Sequence, residues 1–343
     1  MTSVLTHSVR DTTLIPFSLW TLHGSEMSVL AKVELPHLRA WLAKAHRVQV
    51  QVDHAQAPLL ATLTPPHEHA WAQTMGWPVP DGAVPCAALA AAACGLAAAG
   101  QDATPTGWAF ISLCNWHVSN GQVTLGDPAS LQIDEATDAA LLQSMQNFFT
   151  EDGIALHPYK PGQWLARSAL FVDLPTASLD RVIGRNIDPW LVGGHTLAPL
   201  SPAAQVLRRL QNEMQMLLYT HPVNEGRRLT INSFWVHGTG SLPASQASGP
   251  EPVVVHALRD SALRQDFMAW VEAWQHVDAQ VIAPMLARRT AGEAAPELQR
   301  LVLCGEHEFH VYDTATPSLW QRMRQRFSSI ALDTVLAVAP LKD

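Results

Sequence analysis

Charge is scarce in this sequence. Only 15% of its 343 residues are Asp, Glu, Lys or Arg, and no run of one sign stands out. Lys plus Arg total 22 against 30 for Asp plus Glu, a formal net charge of −8. Such a chain lacks the basic footprint that draws a protein to a phosphate backbone, which excludes a general nucleic-acid binder. A local arginine pocket for a small anion stays open. Cysteine is sparse too. Cys86, Cys94, Cys114 and Cys304 form no CxxC pair and mostly sit in apolar surroundings, so they read as free thiols of a reducing compartment.

Long apolar runs are also missing. Thr13–Leu22 (TLIPFSLWTL) is short and contains Pro16, and the alanine-rich Cys86–Gly100 (CAALAAAACGLAAAG) is not much longer, against the roughly 20 residues a membrane helix needs. No basic stretch leads into an apolar core and a cleavage site at the N-terminus. The expectation is therefore a cytoplasmic protein without a membrane partner. A Walker loop, a GxSxG elbow and a GxGxxG turn after a strand are absent as well, which removes the commonest support for nucleotide-binding and hydrolase readings. No internal repeat or low-complexity tract appears.

What the chain has is apolar mass: 48% hydrophobic residues, with 12 Trp and 24 Pro. That supplies a large core in a loop-rich globular protein of about two domains. Strand-like and helix-like stretches alternate, which predicts an α/β layered fold. Thr13–Leu22 reads as a first buried strand, Leu35–Ala45 as a helix, Val48–Val52 as a strand and Pro66–Met75 as a helix stopped by Gly76. Cys86–Gly100 reads as a buried helix whose alanines let it approach a sheet.

Trp108–Leu113 and the Asn120-Gly121 hairpin Trp116–Leu125 come next. A helix begins at the cap Asp134 and ends at Gly153, and Ile154–His157 and Trp164–Val172 are strand candidates. Together they predict an inserted α+β domain over 106–220, with 1–105 and 221–343 as the core. Ser201–Thr220 carries the clearest helical stripe. A strand at Ile231–Val236 and a linker at Ser241–Pro252 follow. Val253–Leu258 is then a core strand, Phe267–Leu286 a long helix and Leu301–Cys304 a buried strand. Polar residues at these strand ends place a site on the carboxyl edge of a parallel sheet.

One stretch is unusually dense in hydrogen-bonding groups: His221 to Gly240, HPVNEGRRLTINSFWVHGTG. Arg227 and Arg228 can clamp a phosphate or carboxylate, and Gly238-Thr239-Gly240 can bring backbone N–H groups close to an anion. Equally, Asn224 and Asn232 can hold a loop through side-chain bonds to backbone. Both readings stay open. Asp260, Asp278 and the pair Glu306-His307 invite a metal reading, since carboxylate and imidazole after strands hold Zn²⁺ or Mn²⁺. However, a lone acid beyond a strand is more often a helix cap. His67, Glu68 and His69 sit at a helix start, where Glu68 complements the dipole and the histidines can be solvated or functional.

The dense stretch resembles the "HPVN…R…N…RGxG" signature of archaeal-type cofactor-independent phosphoglycerate mutases, members of the alkaline phosphatase superfamily. It is more similar still to a proteobacterial group of phosphoglycerate mutase-like proteins of the pathogenicity-factor regulation E type. RRLQNEMQMLLYTHPVN (Arg208 to Asn224) and TASLDRVIGRNIDPW (Thr176 to Trp190) carry that likeness. LPHLRAWLAKA resembles the family's "TPNLDRLA" helix, PPHEHAWAQTMGW its nucleophile helix, VVVHALRDSALRQD its "HxxxxDxxxH" strand and loop, and LVLCGEHE its late "xDH" metal motif.

The resemblance implies an alkaline-phosphatase-like, parallel-rich sheet flanked by helices, two Mn²⁺-type ions and a phosphorylated serine. It also implies a substrate side of His221, Asn224, Arg227, Asn232, Gly238 and Gly240, binding a small phosphorylated ligand. On that side the family's arginine before the glycine turn is His237 here, and the other departures fall on the metal side. His67 stands at the nucleophile position with Glu68 beside it, and the early metal aspartate is missing from Thr13–Leu22. Arg264 stands where a ligand histidine should be. Only Asp260, Glu306 and His307 are left for a residual Mn²⁺ or Zn²⁺ site. Two cations need several deprotonated ligands, so the resemblance implies a degenerate site, binding or regulation in place of ordinary mutase catalysis, and no certain cofactor. An active metal-dependent mutase or phosphatase is the alternative.

Overall fold

A computed structural model describes residues 11–52, 62–96, 105–119, 121–194, 199–243, 251–290, 298–314 and 331–338. The chain begins with β1 (Asp11–Ile15), β2 (Trp20–Thr21), α1 (Glu26–Leu30), α2 (Pro36–Leu42) and β3 (Ala45–Val52). Next come α3 (Pro66–Thr74) and α4 (Cys86–Ala93). The middle holds β4 (Gly107–Cys114), β5 (Trp116–Ser119), β6 (Gln122–Leu125), α5 (Glu135–Glu151), β7 (Ala155–Lys160), β8 (Gln163–Ser168), α6 (Leu179–Val182), α7 (Pro202–Tyr219) and β9 (Ser233–Gly240). The last part holds β10 (Val253–Val254), α8 (Arg259–Leu263), α9 (Phe267–Val277), α10 (Ala283–Thr290), β11 (Gln299–Cys304), β12 (Glu308–Thr314), α11 (Leu332–Leu336) and β13 (Ala337–Val338).

Two compact units result. One draws on Met1–His54, Pro65–Pro78 and Ala247–Asp343, the other on Ala55–Thr64 and Val79–Gln246. The second unit is wider than the expected 106–220. Its extra length has a plain cause: β9 hydrogen-bonds along β4, and α4 packs on the same sheet through Ala87, Ala88 and Ala91.

In the first unit a five-stranded sheet runs in the order β10–β1–β11–β12–β3. β1 is parallel to β10 and β11, whereas β12 is antiparallel to both β11 and β3. The expected parallel-rich sheet is thus mixed, because β11 returns through the short turn at Gly305 and a tight turn can only join antiparallel strands. One face sets Leu14, Val302, Phe309 and Val311 against Ala70 and Trp71 of α3. The other sets Ile15, Leu301, Leu303 and Tyr312 against Trp270 and Trp274 of α9 and Trp41 of α2.

Two strand expectations shorten for local reasons. Thr13–Leu22 breaks after Ile15, where Pro16 offers no N–H to the ladder. Val253–Leu258 yields only the two residues of β10 before a 3₁₀ turn at His256–Leu258. The Phe267–Leu286 helix forms, with a π-helical turn at Asp278–Ile282. Part of the Ser241–Pro252 linker, 244–250, lies outside the described residues.

The second unit is built on an antiparallel sheet, β7–β8–β4–β9. Ile111, Leu113, Trp164, Phe234 and Val236 pack against Leu141, Met145 and Phe149 of α5 and Leu207, Leu210 and Met214 of α7. The caps are those read from sequence: Asp134 accepts from the Thr137 N–H at 2.8 Å and Ser201 from the Ala204 N–H at 3.2 Å. The opposite face receives α4. Gly238 lies there with φ +64°, and a Cβ on it would come within 3.1 Å of Phe110 and 3.4 Å of the Ala87 nitrogen. Alanine on the helix and glycine on the strand are two halves of one close approach. Among the described residues no helix is long and apolar enough to cross a membrane.

Candidate functional site on the carboxyl edge of the mixed sheet

The chain leaves β1 through an uncommon turn. Phe17 has φ +57°, a left-handed conformation that is unfavourable for a bulky side chain and calls for support from its surroundings. The support is visible. The Trp270 indole N–H donates to the Phe17 carbonyl at 2.7 Å and the Trp274 indole N–H to the Ser18 carbonyl at 3.2 Å. The Ser18 N–H donates to the Cys304 carbonyl, and the Cys304 N–H to Ser18 Oγ, each at 2.7 Å. The ends of β1 and β11 are thereby locked together.

His67, in the first turn of α3, meets this edge: its ring centroid is 5.2 Å from that of Phe17, and it is buried. Glu68, the next residue, is half-buried in the same first turn. His67 therefore stands on the edge, beside Phe17 of the Thr13–Leu22 stretch. Cys304, at the end of β11, is fully buried, and burial pushes its thiol well above the usual range, away from the reactive thiolate.

The metal candidates do not gather. Asp260 lies on α8 with its side chain 68% exposed, 3.4 Å from the Arg259 guanidinium. Glu306 and His307 occupy the turn after β11, 3.6 Å apart and half-exposed. Asp278 is buried and engaged elsewhere: it accepts the Leu38 N–H at 2.6 Å, the His37 N–H at 3.2 Å and approaches His37 Nδ1 at 2.9 Å. It caps α2. Among the described residues no three His, Cys, Asp or Glu side chains stand close enough to hold a metal ion. The described residues do not fit a two-cation centre.

The substrate-side candidates lie in the second unit, and most of their hydrogen bonds go to backbone. Asn224 donates to the Leu218 and Ile231 carbonyls, each at 2.9 Å, and accepts the Ile231 N–H at 2.8 Å. Arg227 donates to the carbonyls of Val223 and Leu131 at 3.1 and 2.6 Å. Asn232 accepts the Trp116 N–H at 2.7 Å and donates to the Trp116 carbonyl at 2.9 Å. His221 lies 2.9 Å from Ser144 Oγ and caps the turn at Val223. Gly240 takes φ +138° against Pro85, and Thr239 Oγ donates to the Leu174 carbonyl at 2.5 Å. These bonds hold the loop, and they commit Arg227 to backbone carbonyls, whereas Arg228 is exposed.

Two polar clusters escaped sequence reading. Glu308 Oε1 stands 2.7 Å from His310 Nε2 on one face of β12. Burial pushes the His310 imidazole below the usual histidine range, Glu308 pulls it up, and Arg47 pushes it down. The sequence GEHEFH offers two Glu–His pairs, and only strand alternation shows that Glu308 and His310 share a face. In the second unit Ser112 Oγ meets His237 Nε2 at 2.9 Å and accepts from Gln163 Nε2 at 2.9 Å. These three residues lie on three neighbouring strands, so no spacing signal could have joined them.

No family model matches the sequence, and no curated protein matches it. Among solved structures, the chain is similar to the cofactor-independent phosphoglycerate mutase from Thermoplasma acidophilum DSM 1728. That likeness has 14% identity and a TM-score of 0.37, covering 90% of this chain and 91% of that one. It is also similar to the PH0037 protein from Pyrococcus horikoshii, at 12% identity and a TM-score of 0.44, over 90% of this chain and 88% of that one. Residue roles therefore rest on this chain's own geometry.

Proposed function

We propose that this chain is a phosphoglycerate mutase-like protein with a degenerate two-metal site, which binds a phosphate-bearing small molecule or acts in regulation and does not turn that molecule over. One observation carries the reading: among the described residues the acids needed to grip cations do not come together. Asp260 faces solvent beside Arg259, and Asp278 holds the start of α2. Arg264, at the position the resemblance gives to a ligand histidine, adds positive charge. The bound molecule would meet the carboxyl edge at His67, because the Arg227 guanidinium is committed to backbone carbonyls.

A second reading, an active mutase or phosphatase-type enzyme, is favoured by the placement of His67 in the first turn of a nine-residue helix on that edge. Imidazole can accept a phosphoryl group. Calorimetric titration of the whole protein with 3-phosphoglycerate, with and without Mn²⁺, is the test, paired with an assay for 2-phosphoglycerate. Binding that survives a chelator, without product, is the expected outcome. Robust turnover abolished by chelator would sink the proposal, and phosphate recovered on His67 would favour the enzyme. Absence of any heat with 3-phosphoglycerate, inorganic phosphate or other small phosphates would remove the ligand.

A further inference from the structure

The Glu308–His310 pair takes no part in the reading above. His310 is buried, with a side chain only 6% exposed, and its Nε2 is 2.7 Å from Glu308 Oε1. Its other nitrogen, Nδ1, is buried and has no hydrogen-bond partner among the described residues. The two nitrogens decide the tautomer. A neutral imidazole donates its Nε2–H to the carboxylate and leaves Nδ1 as a bare lone pair. Protonation adds a second N–H, and a buried donor with no acceptor is unfavourable. Such a proton must find an acceptor, and β12 is next to β3 in the sheet. That strand is the last in the sheet order. Its Val50 pairs directly with His310 and is 44% exposed.

The surroundings add little on the acid side. On β12 itself, Tyr312 stands edge-on, with ring centroids 6.3 Å apart. β11 places apolar Leu303 opposite His310. From β3, Arg47 repels a charged imidazole, while Glu308 favours it.

We infer that Glu308 and His310 form an acid-operated latch on the edge strand β3: the neutral imidazole keeps the strand closed on β12, and protonation at Nδ1 loosens it. Burial holds His310 below the ordinary histidine range. A depressed histidine contributes stability that is complete above that range and is lost as pH falls through the folded value.

The test is amide hydrogen exchange between pH 7.5 and 5.5, corrected for intrinsic rates. Protection of Ala45–Val52 should fall by up to about tenfold per pH unit, the limit for one linked proton, while amides of β4 hold theirs. In His310→Gln the slope should vanish. Unchanged protection of β3 in the natural protein, or an equal slope in the variant, overturns the latch. Should the variant fail to fold, ¹⁵N spectra of labelled histidine in the natural protein decide the matter. An Nε2–H tautomer at pH 7.5 that titrates together with β3 exchange supports the latch, and a doubly protonated His310 at pH 7.5 refutes it.

Discussion

The stretch from His221 to Gly240 and the carboxyl edge of the mixed sheet present opposite relations between polar density and availability. The first is crowded with donors and acceptors, yet Asn224, Arg227 and Asn232 all bond to main chain at 2.6–3.1 Å. The second has fewer polar groups: Glu306 and His307 are half-exposed in the turn after β11, and Glu68 is half-buried beside His67 in the first turn of α3. The difference is one of backbone. A segment that leaves α7, turns through Pro222–Asn224 and enters β9 has many unpaired N–H and C=O groups, and its side chains satisfy them. Strand ends that close through a short turn leave less main chain to serve. Polar density in a sequence therefore marks a demanding turn as readily as it marks a ligand.

Substitutions can break this contrast or sharpen it. Trp164→Ala should have the largest effect, about 3–5 kcal/mol: Trp164 is fully buried and its indole N–H donates to Asp138 at 2.9 Å. Denaturant unfolding followed by tryptophan fluorescence would measure it, and a loss under 1 kcal/mol would show that the second unit's core is misdescribed. Asn224→Ala should destabilise by about 2 kcal/mol, because two carbonyls and one N–H lose their partner, and should leave any affinity for 3-phosphoglycerate unchanged. Weaker ligand binding with intact stability would reverse the contrast between the two regions.

Asp278→Ala should lose about 1–2 kcal/mol through the N-terminus of α2, with no change in the metal content of the purified protein by mass spectrometry. Asp260→Ala should change stability by less than about 0.5 kcal/mol, as for other exposed sites, and a melting curve suffices to check it. A fall of several degrees in either the presence or absence of Mn²⁺ would mean that Asp260 has partners beyond Arg259.

Much of the fold is legible in particular residues. Asp134 and Ser201 announce α5 and α7 because a side-chain oxygen before an apolar stripe satisfies the first free N–H groups. The alanines of α4 foretell a close approach, and Gly238 and Gly240 supply its other side. His67 reads from sequence as lying at a helix start, and it stands in the first turn of α3. Sequence reading failed where the answer depended on a distant partner. Asp278 looks like a free acid until His37 and Leu38, some 240 positions away, present their N–H groups to it. The 106–220 insert looked self-contained until β9 paired with β4.

Local chemistry, then, determined which segments are helices and where they begin; these depend on neighbours within a few residues. Tertiary pairing alone decided that the first sheet is mixed, that Asp260 faces water, and that Glu308 rather than Glu306 closes on a buried histidine. The reason is physical: a capping bond or an apolar stripe acts over one or two turns, whereas the role of a carboxylate depends on which charge or N–H group the folded chain brings to it.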